Sequence, residues 1–148
     1  MANVSSGIVL DANLLNLKEI DSSKIRPEVK DLMVEGESTV QCFMTVRDQV
    51  IFTNKRVFVV NVQGITGKKV SYFSYPYSKV VTYGIETAGF MDIDSELLIT
   101  MQNGIHLQFD FKSQVDIKAI ISNIQKSANL QSCGCRLAIF VNEQNNKI

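Results

Sequence analysis

Four groups of residues in this chain have types and spacings that could do chemistry. The run Gly64-Ile65-Thr66-Gly67-Lys68-Lys69 has the glycines and lysines of a phosphate-binding loop. That loop needs four residues between its glycines, a Ser or Thr after the lysine, and a helix next. Here the glycines are closer together and a β-type run follows, so the stretch reads as a turn in which Gly64 and Gly67 supply unusual φ. Asp92, Asp94 and Glu96 alternate, so a strand would put their carboxylates on one face. Clustered carboxylates suit hard cations, but the glycine and closing glutamate of a calcium loop do not fit here. A solvated strand entry, or pairing with lysines on a neighbouring strand, is the simpler reading.

His106 is the only histidine. It falls in the polar phase of an alternating run, and the sequence pairs it with no nucleophile or carboxylate, so it reads as a surface residue. Cys42 lies within a strand-like run and reads as a small core hydrophobe. Cys133 and Cys135 are too close to bridge comfortably. A zinc site needs about four ligands, which the composition does not supply beside them. A reactive thiol near the end of the chain stays open as an alternative. No catalytic residue, metal site or cofactor is therefore expected. Lys55, Arg56, Lys68 and Lys69 form the main basic cluster in sequence. A solvated charged edge is the first reading, and a patch for anionic lipid headgroups is the alternative.

These residues sit in 148 residues, a length that suits one domain. Basic and acidic side chains balance at 15 each. That balance argues against nucleic acid, whose phosphates call for a basic surface. The odd cysteine count fits a reducing compartment, and no basic-then-apolar leader stands near Met1. The longest apolar run, Leu137 to Val141, is far below the roughly 20 residues of a membrane helix. A cytoplasmic location is expected.

Seven β-type runs carry the candidate residues: 39–46, 49–53, 56–62, 69–75, 79–86, 93–101 and 105–111. Pro76 suits a strand end, and Asn103-Gly104 suits a two-residue hairpin turn. In the last run Ile105, Leu107, Phe109 and Phe111 alternate with His106, Gln108 and Asp110. A helix is expected from about Ser113 to Ala128. Ser113 and Asp116 resemble a capping box there, and Ile117, Ile120, Ile121, Ile124 and Ala128 make one apolar stripe. Upstream, Leu14, Leu15 and Leu17 have weak helical spacing, and Pro27 begins a short helix through Met33. The expected division is a helical or irregular extension over 1–34, the β domain over 35–128, and a tail over 129–148. The apolar run in that tail could form an extra strand, pack on another subunit, or stay unstructured.

The words FTNKRVFVV, GITGKKV, SYPYSKV and ETAGFMDIDSEL, within roughly Val34 to Ile124, resemble the pleckstrin-homology-like domains of bacteria. The resemblance implies a mainly β fold: a seven-stranded orthogonal antiparallel barrel or sandwich, capped by a C-terminal amphipathic helix. It also implies a cyclic homo-oligomer, and the expected function is a non-enzymatic interaction module that assembles in this way and binds a protein or peptide partner. Glu86, Thr87, Ala88, Gly89 and Phe90, with the outer face of the neighbouring strands, are the expected contact. In lipid-binding pleckstrin-homology domains of eukaryotes, the head group is held around a long loop between the first two strands. Here that connection is Arg47-Asp48, short and neutral. The lipid adaptor through Lys55, Arg56, Lys68 and Lys69 is therefore the second reading.

Overall fold

The computed structural model describes residues 12–87, 95–112, 115–128 and 136–141. Its strands are β1 (Ala12–Ile20), β2 (Thr39–Met44), β3 (Gln49–Thr53), β4 (Arg56–Gln63), β5 (Lys69–Pro76), β6 (Val80–Thr87), β7 (Ser95–Met101), β8 (His106–Phe111) and β9 (Arg136–Val141). Its helices are α1 (Pro27–Asp31) and α2 (Lys118–Ala128), with 3-10 turns at Ser22–Lys24 and Tyr77–Lys79. The strands form one sheet in the order β5-β4-β3-β2-β1-β8-β7-β6-β9.

All seven expected strands are present, and two more join them. Among the described residues the sheet therefore has nine strands rather than seven. It is also not wholly antiparallel, because β1 runs parallel to β8 and β9 parallel to β6. Nor does it close into a barrel. It is a curled half-barrel whose two ends, β5 and β9, are different strands.

The strand β1 replaces the helical segment expected over Asp11 to Leu17. Its first part, Ala12 to Leu17, pairs with β8, and Lys18 to Ile20 pair with β2. The register shifts between Leu14 and Leu17, where Asn16 has φ 58°. Asn tolerates that left-handed conformation better than most residues. The bend also explains the misleading pattern. Leu14 and Leu17 are both buried although three apart, because the kink between them breaks the period of two.

The main core lies inside the curl. Phe43, Val50, Phe52 and Val57 come from one half, and Leu97, Ile99, Leu107, Phe109 and Phe111 from the other. Phe52 packs edge-on against Phe109 with ring centroids 5.3 Å apart. Helix α2 covers this core with Ile120 and Ile124, Ile117 just before it joins them, and Ile121 packs at its margin. A second cluster sits on the outside of the first half. There Ile25 and Val29 cover Cys42, Ile51, Phe58 and Val60. Strand β3 is thus buried along its whole length. Its one long polar side chain, Gln49, accepts from the Arg26 N–H at 3.1 Å and donates to the Lys24 carbonyl at 3.0 Å. Those two bonds satisfy the buried amide and fasten the N-terminal segment to the sheet.

Two local expectations change. The helix begins at Lys118, not near Ser113, and the Lys118 N–H is held by the Asp116 carboxylate at 2.9 Å. Ser113 lies outside the described residues. The β7–β8 connection is a three-residue loop, Gln102 to Gly104, not a two-residue turn. The Met101 N–H donates to the Ile105 carbonyl at 2.8 Å, the Gly104 N–H donates to the Met101 carbonyl at 2.9 Å, and Gly104 has φ 86°. That is a type I turn followed by a left-handed residue, the usual three-residue solution.

The helix stripe gives a direct test. Ile120 and Ile124 have no exposure, so Ile120→Asp or Ile124→Asp buries an unpaired carboxylate. The cost is several kcal/mol, comparable with the roughly 5–15 kcal/mol that holds a domain folded. Urea titration should find either variant largely unfolded, and a parent-like midpoint would remove α2 from the core.

Candidate functional site

The four basic residues singled out in the sequence do not form one patch. Arg56 pairs with Pro76 in the β4–β5 ladder, and Gln63 pairs with Lys69 at its other end. Seven strand steps of about 3.3 Å put roughly 23 Å between the two ends. The reason is the hairpin itself, which sends Lys55 and Arg56 to one end and Lys68 and Lys69 to the other.

Arg56 is also engaged. Its Nη2 lies 2.7 Å from Glu37 Oε1, and Nε donates to both carboxylate oxygens at 2.9 and 3.0 Å. Nη1 donates to Ser74 Oγ at 3.2 Å, Nη2 donates to the Leu32 carbonyl at 3.3 Å, and the guanidinium lies over the Phe58 ring at 4.6 Å. The fork is filled, and it ties the segment after α1 to β4 and β5. Arg56 belongs to the architecture, not to a ligand site.

Lys68 and Lys69 acquire other neighbours. They stand at the β4–β5 tip, and the β2–β3 turn reaches the same place. Arg47 Nη2 donates to the Gly64 carbonyl, and the Val62 N–H donates to Asp48 Oδ1 at 2.8 Å. Each tip holds out one aliphatic side chain, Val46 at 95% exposure and Ile65 at 105%. The exposed cations Arg47, Lys68 and Lys69 flank them. Gly64 and Gly67, with φ 79° and 65°, make the tight tip, so that word is a turn. The one signal for this patch in the sequence was Val46 beside the turn residues Arg47-Asp48.

The opposite half of the sheet carries the complementary charge. Glu86 faces Glu96 across β6 and β7, and Glu96 faces Asp110 across β7 and β8. Gln108 Nε2 bridges two of them, donating to Glu96 Oε2 at 3.1 Å and Asp110 Oδ1 at 3.3 Å. Glu96 thus meets carboxylates across both ladders, not the lysines expected. Burial first, then Asp110 and Glu86, push the Glu96 carboxyl above the usual range. Burial first, with Glu86 adding to it, pushes Asp110 up as well, against the lowering bond from Gln108. Asp92 and Asp94 lie outside the described residues. No group of three His, Cys, Asp or Glu placed to hold a metal stands among the described residues.

Of the expected contact segment, Glu86 and Thr87 end β6, where they pair with β7 on one side and β9 on the other. Ala88, Gly89 and Phe90 lie outside the described residues. His106 is exposed, with Nδ1 3.1 Å from Thr100 Oγ1. Cys42 is buried in the outer cluster, and burial, with Glu19 and Asp21, pushes its thiol up to about 11. It is a packing residue with little thiolate character. Cys133 and Cys135 lie outside the described residues. No helix among the described residues is long and apolar enough to cross a membrane.

Among the described residues, clefts open beside both ends of the half-barrel. One of about 470 Å³ separates edge strand β5 from the β7–β8 loop and is lined by Phe73, Tyr75, Lys79, Met101 and Ile105. One of about 360 Å³ lies between β6 and the start of α2, lined by Ile85, Val115, Ile117, Ile121 and Gln125.

The acidic row has a pH signature. Raised native pKa values mean that the folded state binds protons more tightly than the unfolded chain. The penalty is absent below the ordinary carboxylate range and grows as pH rises through the raised native values. Glu96→Gln should therefore stabilise the protein at neutral pH by less than ~1 kcal/mol, because the row is partly screened by water. The gain should vanish near about pH 3, where the carboxylates are protonated. Thermal melts at the two pH values check this, and an equal shift at both would refute it.

Comparison with known proteins agrees with this architecture. The family model for the bacterial PH domain matches residues 8–128. Uncharacterized protein YjqA of Bacillus subtilis (strain 168) is 40% identical over 90 residues, covering 61% of this chain and 72% of its own. Uncharacterized protein YozO of the same strain is 27% identical over 112 residues, covering 76% and 96%. A crystal structure of a DUF1696 family protein with a pleckstrin-homology domain, from Shewanella loihica PV-4, superposes with TM-score 0.59 at 30% identity. It covers 77% of this chain and 98% of its own. The family match extends from the first strand through the helix that plugs the curl, and the chain belongs to the bacterial PH domain family.

Proposed function

We propose that the protein is a non-catalytic interaction module that assembles with itself into a cyclic homo-oligomer and docks a protein or peptide partner. One observation carries this reading: the sheet is open, and its two ends are different strands, β5 and β9. A bare strand edge offers unpaired N–H and C=O groups to another chain. Contacts between unlike surfaces are heterologous, and they close into a ring when the rotation allows it. Glu86 and Thr87 lie at the β9 end of the sheet, where the contact was expected. The non-catalytic part follows family membership, since PH domains generally serve as interaction modules. Light scattering at micromolar concentration should give one discrete mass of several subunits. Glu86→Lys combined with Phe90→Ala should lower that mass while the β-sheet circular dichroism persists. A clean monomer of the parent protein would overturn the reading.

A second reading, attachment to anionic membrane surfaces, is favoured by the exposed Val46 and Ile65 beside Arg47, Lys68 and Lys69. The patch has lost Lys55 and Arg56 and gained two aliphatic tips. Cations near an anionic surface contribute about 1 kcal/mol each, so three give weak, salt-sensitive binding. Flotation with phosphatidylserine vesicles at low salt should carry the protein upward, and Lys68→Glu with Lys69→Glu should abolish it. Flotation that ignores both salt and these substitutions would rule the patch out.

A further inference from the structure

The strand β9 lies outside the unit that defines the family. The family match ends at residue 128, before β9 begins at Arg136. The Shewanella loihica structure is matched over 98% of its own length while covering only 77% of this chain. The core clusters already join both halves of the sheet and α2 through residues from Leu14 to Ile124. Yet β9 pairs with β6 over six consecutive positions, from Thr82↔Arg136 to Thr87↔Val141. Among the described residues it is the last strand of the sheet and β6 is its single partner.

The edge of β6 has what strand addition uses. Its main chain supplies a ladder, and the 360 Å³ apolar cleft lined by Ile85, Val115, Ile117 and Ile121 opens beside it. The register sets Leu137 beside Tyr83 and Ile139 beside Ile85, two β6 residues of the main core. Apolar residues recur there with period two, at Leu137, Ile139 and Val141. The connection from α2 is residues 129–135, which reach at most about 25 Å when extended. Nothing in a backbone ladder depends on which molecule supplies the strand. Exchange of an identical element between copies keeps every contact and changes only the path of the connection.

We infer that the β6 edge is a strand-receiving site and that in the assembled protein its occupant is residues 136–141 of a second copy. The inference rests on the self-assembly reading and specifies its contact. Each copy donates one strand and receives one, so the interface is built from a segment that the family unit lacks. The parallel pairing suits this role, since it is slightly weaker per residue than antiparallel pairing.

A disulfide placed across the β6–β9 register reads out which molecule donates the strand. The full-length protein would carry Thr82→Cys and Arg136→Cys, with Cys133→Ser and Cys135→Ser to remove competing thiols. Cys42 is buried and stays. Paired positions on neighbouring strands fall within the Cα separation a disulfide spans. After mild oxidation, denaturing non-reducing electrophoresis should show covalent species of two or more chains that return to one chain on reduction. Either single-cysteine control should form at most a pair through that one thiol, with no higher species. A disulfide closed within one chain overturns exchange. If light scattering of that same sample still gives a multi-subunit mass, assembly stands and only the exchange fails; a monomer mass removes both. Failure of the pair to oxidise overturns the register and the inference with it.

Discussion

The backbone of β1 hydrogen-bonds to both halves of the sheet, and the bend at Asn16 is what lets it do so. One strand thereby forms the corner that joins β2 to β8. The opposite corner is held differently. There the 3-10 turn Tyr77–Lys79 connects β5 to β6, and α2 packs against it. The buried Tyr77 hydroxyl donates to the Thr53 carbonyl at 2.8 Å, and the Tyr77 N–H donates to the Lys55 carbonyl at 3.1 Å. These two corners curl the sheet enough for Phe43 and Phe52 to meet Phe109 and Phe111. A flat sheet of these strands would leave those rings on a surface no helix of eleven residues could cover.

Charge is arranged by the same geometry. The chain is formally neutral, but some of its charges form local groups of one sign. Arg56 and the fully buried Glu37 carboxylate cancel locally and hold the segment after α1 against the sheet. Such a pair is expensive to break, because either partner alone would be left desolvated. Three exposed cations, Arg47, Lys68 and Lys69, stand at the hairpin tips of one half, and three carboxylates line up across β6, β7 and β8 of the other. Local fields of opposite sign on a neutral molecule orient encounters rather than repel or attract everything.

The open ends of the sheet place the candidate functions. A half-barrel saves the material of full closure and leaves edges that other strands can extend. Within this chain β9 already extends one of them, beside a cleft that runs along α2. The β5 end stays bare among the described residues and faces the larger cleft. The family match ends before β9, which lies at the end of the sheet where contact between molecules is proposed.

Local sequence signals determined much of this protein. Alternation over 105–111, β-branched runs between turn residues, Pro27 at the start of α1 and the stripe of Ile120 and Ile124 are local signals, and each element formed there, although α2 begins about five residues later than expected. β1 escaped because a single left-handed residue reset the phase, so Leu14 and Leu17 mimicked helical spacing. The surfaces escaped for a different reason. Lys55 and Lys69 are near in the chain yet at opposite ends of a hairpin, while Val46 and Ile65, or Glu86, Glu96 and Asp110, are distant in the chain and neighbours in space. Periodicity is a property of one segment and can be read from it. Which side chains share a surface depends on register between segments, and register was decided only when the whole sheet curled around its core.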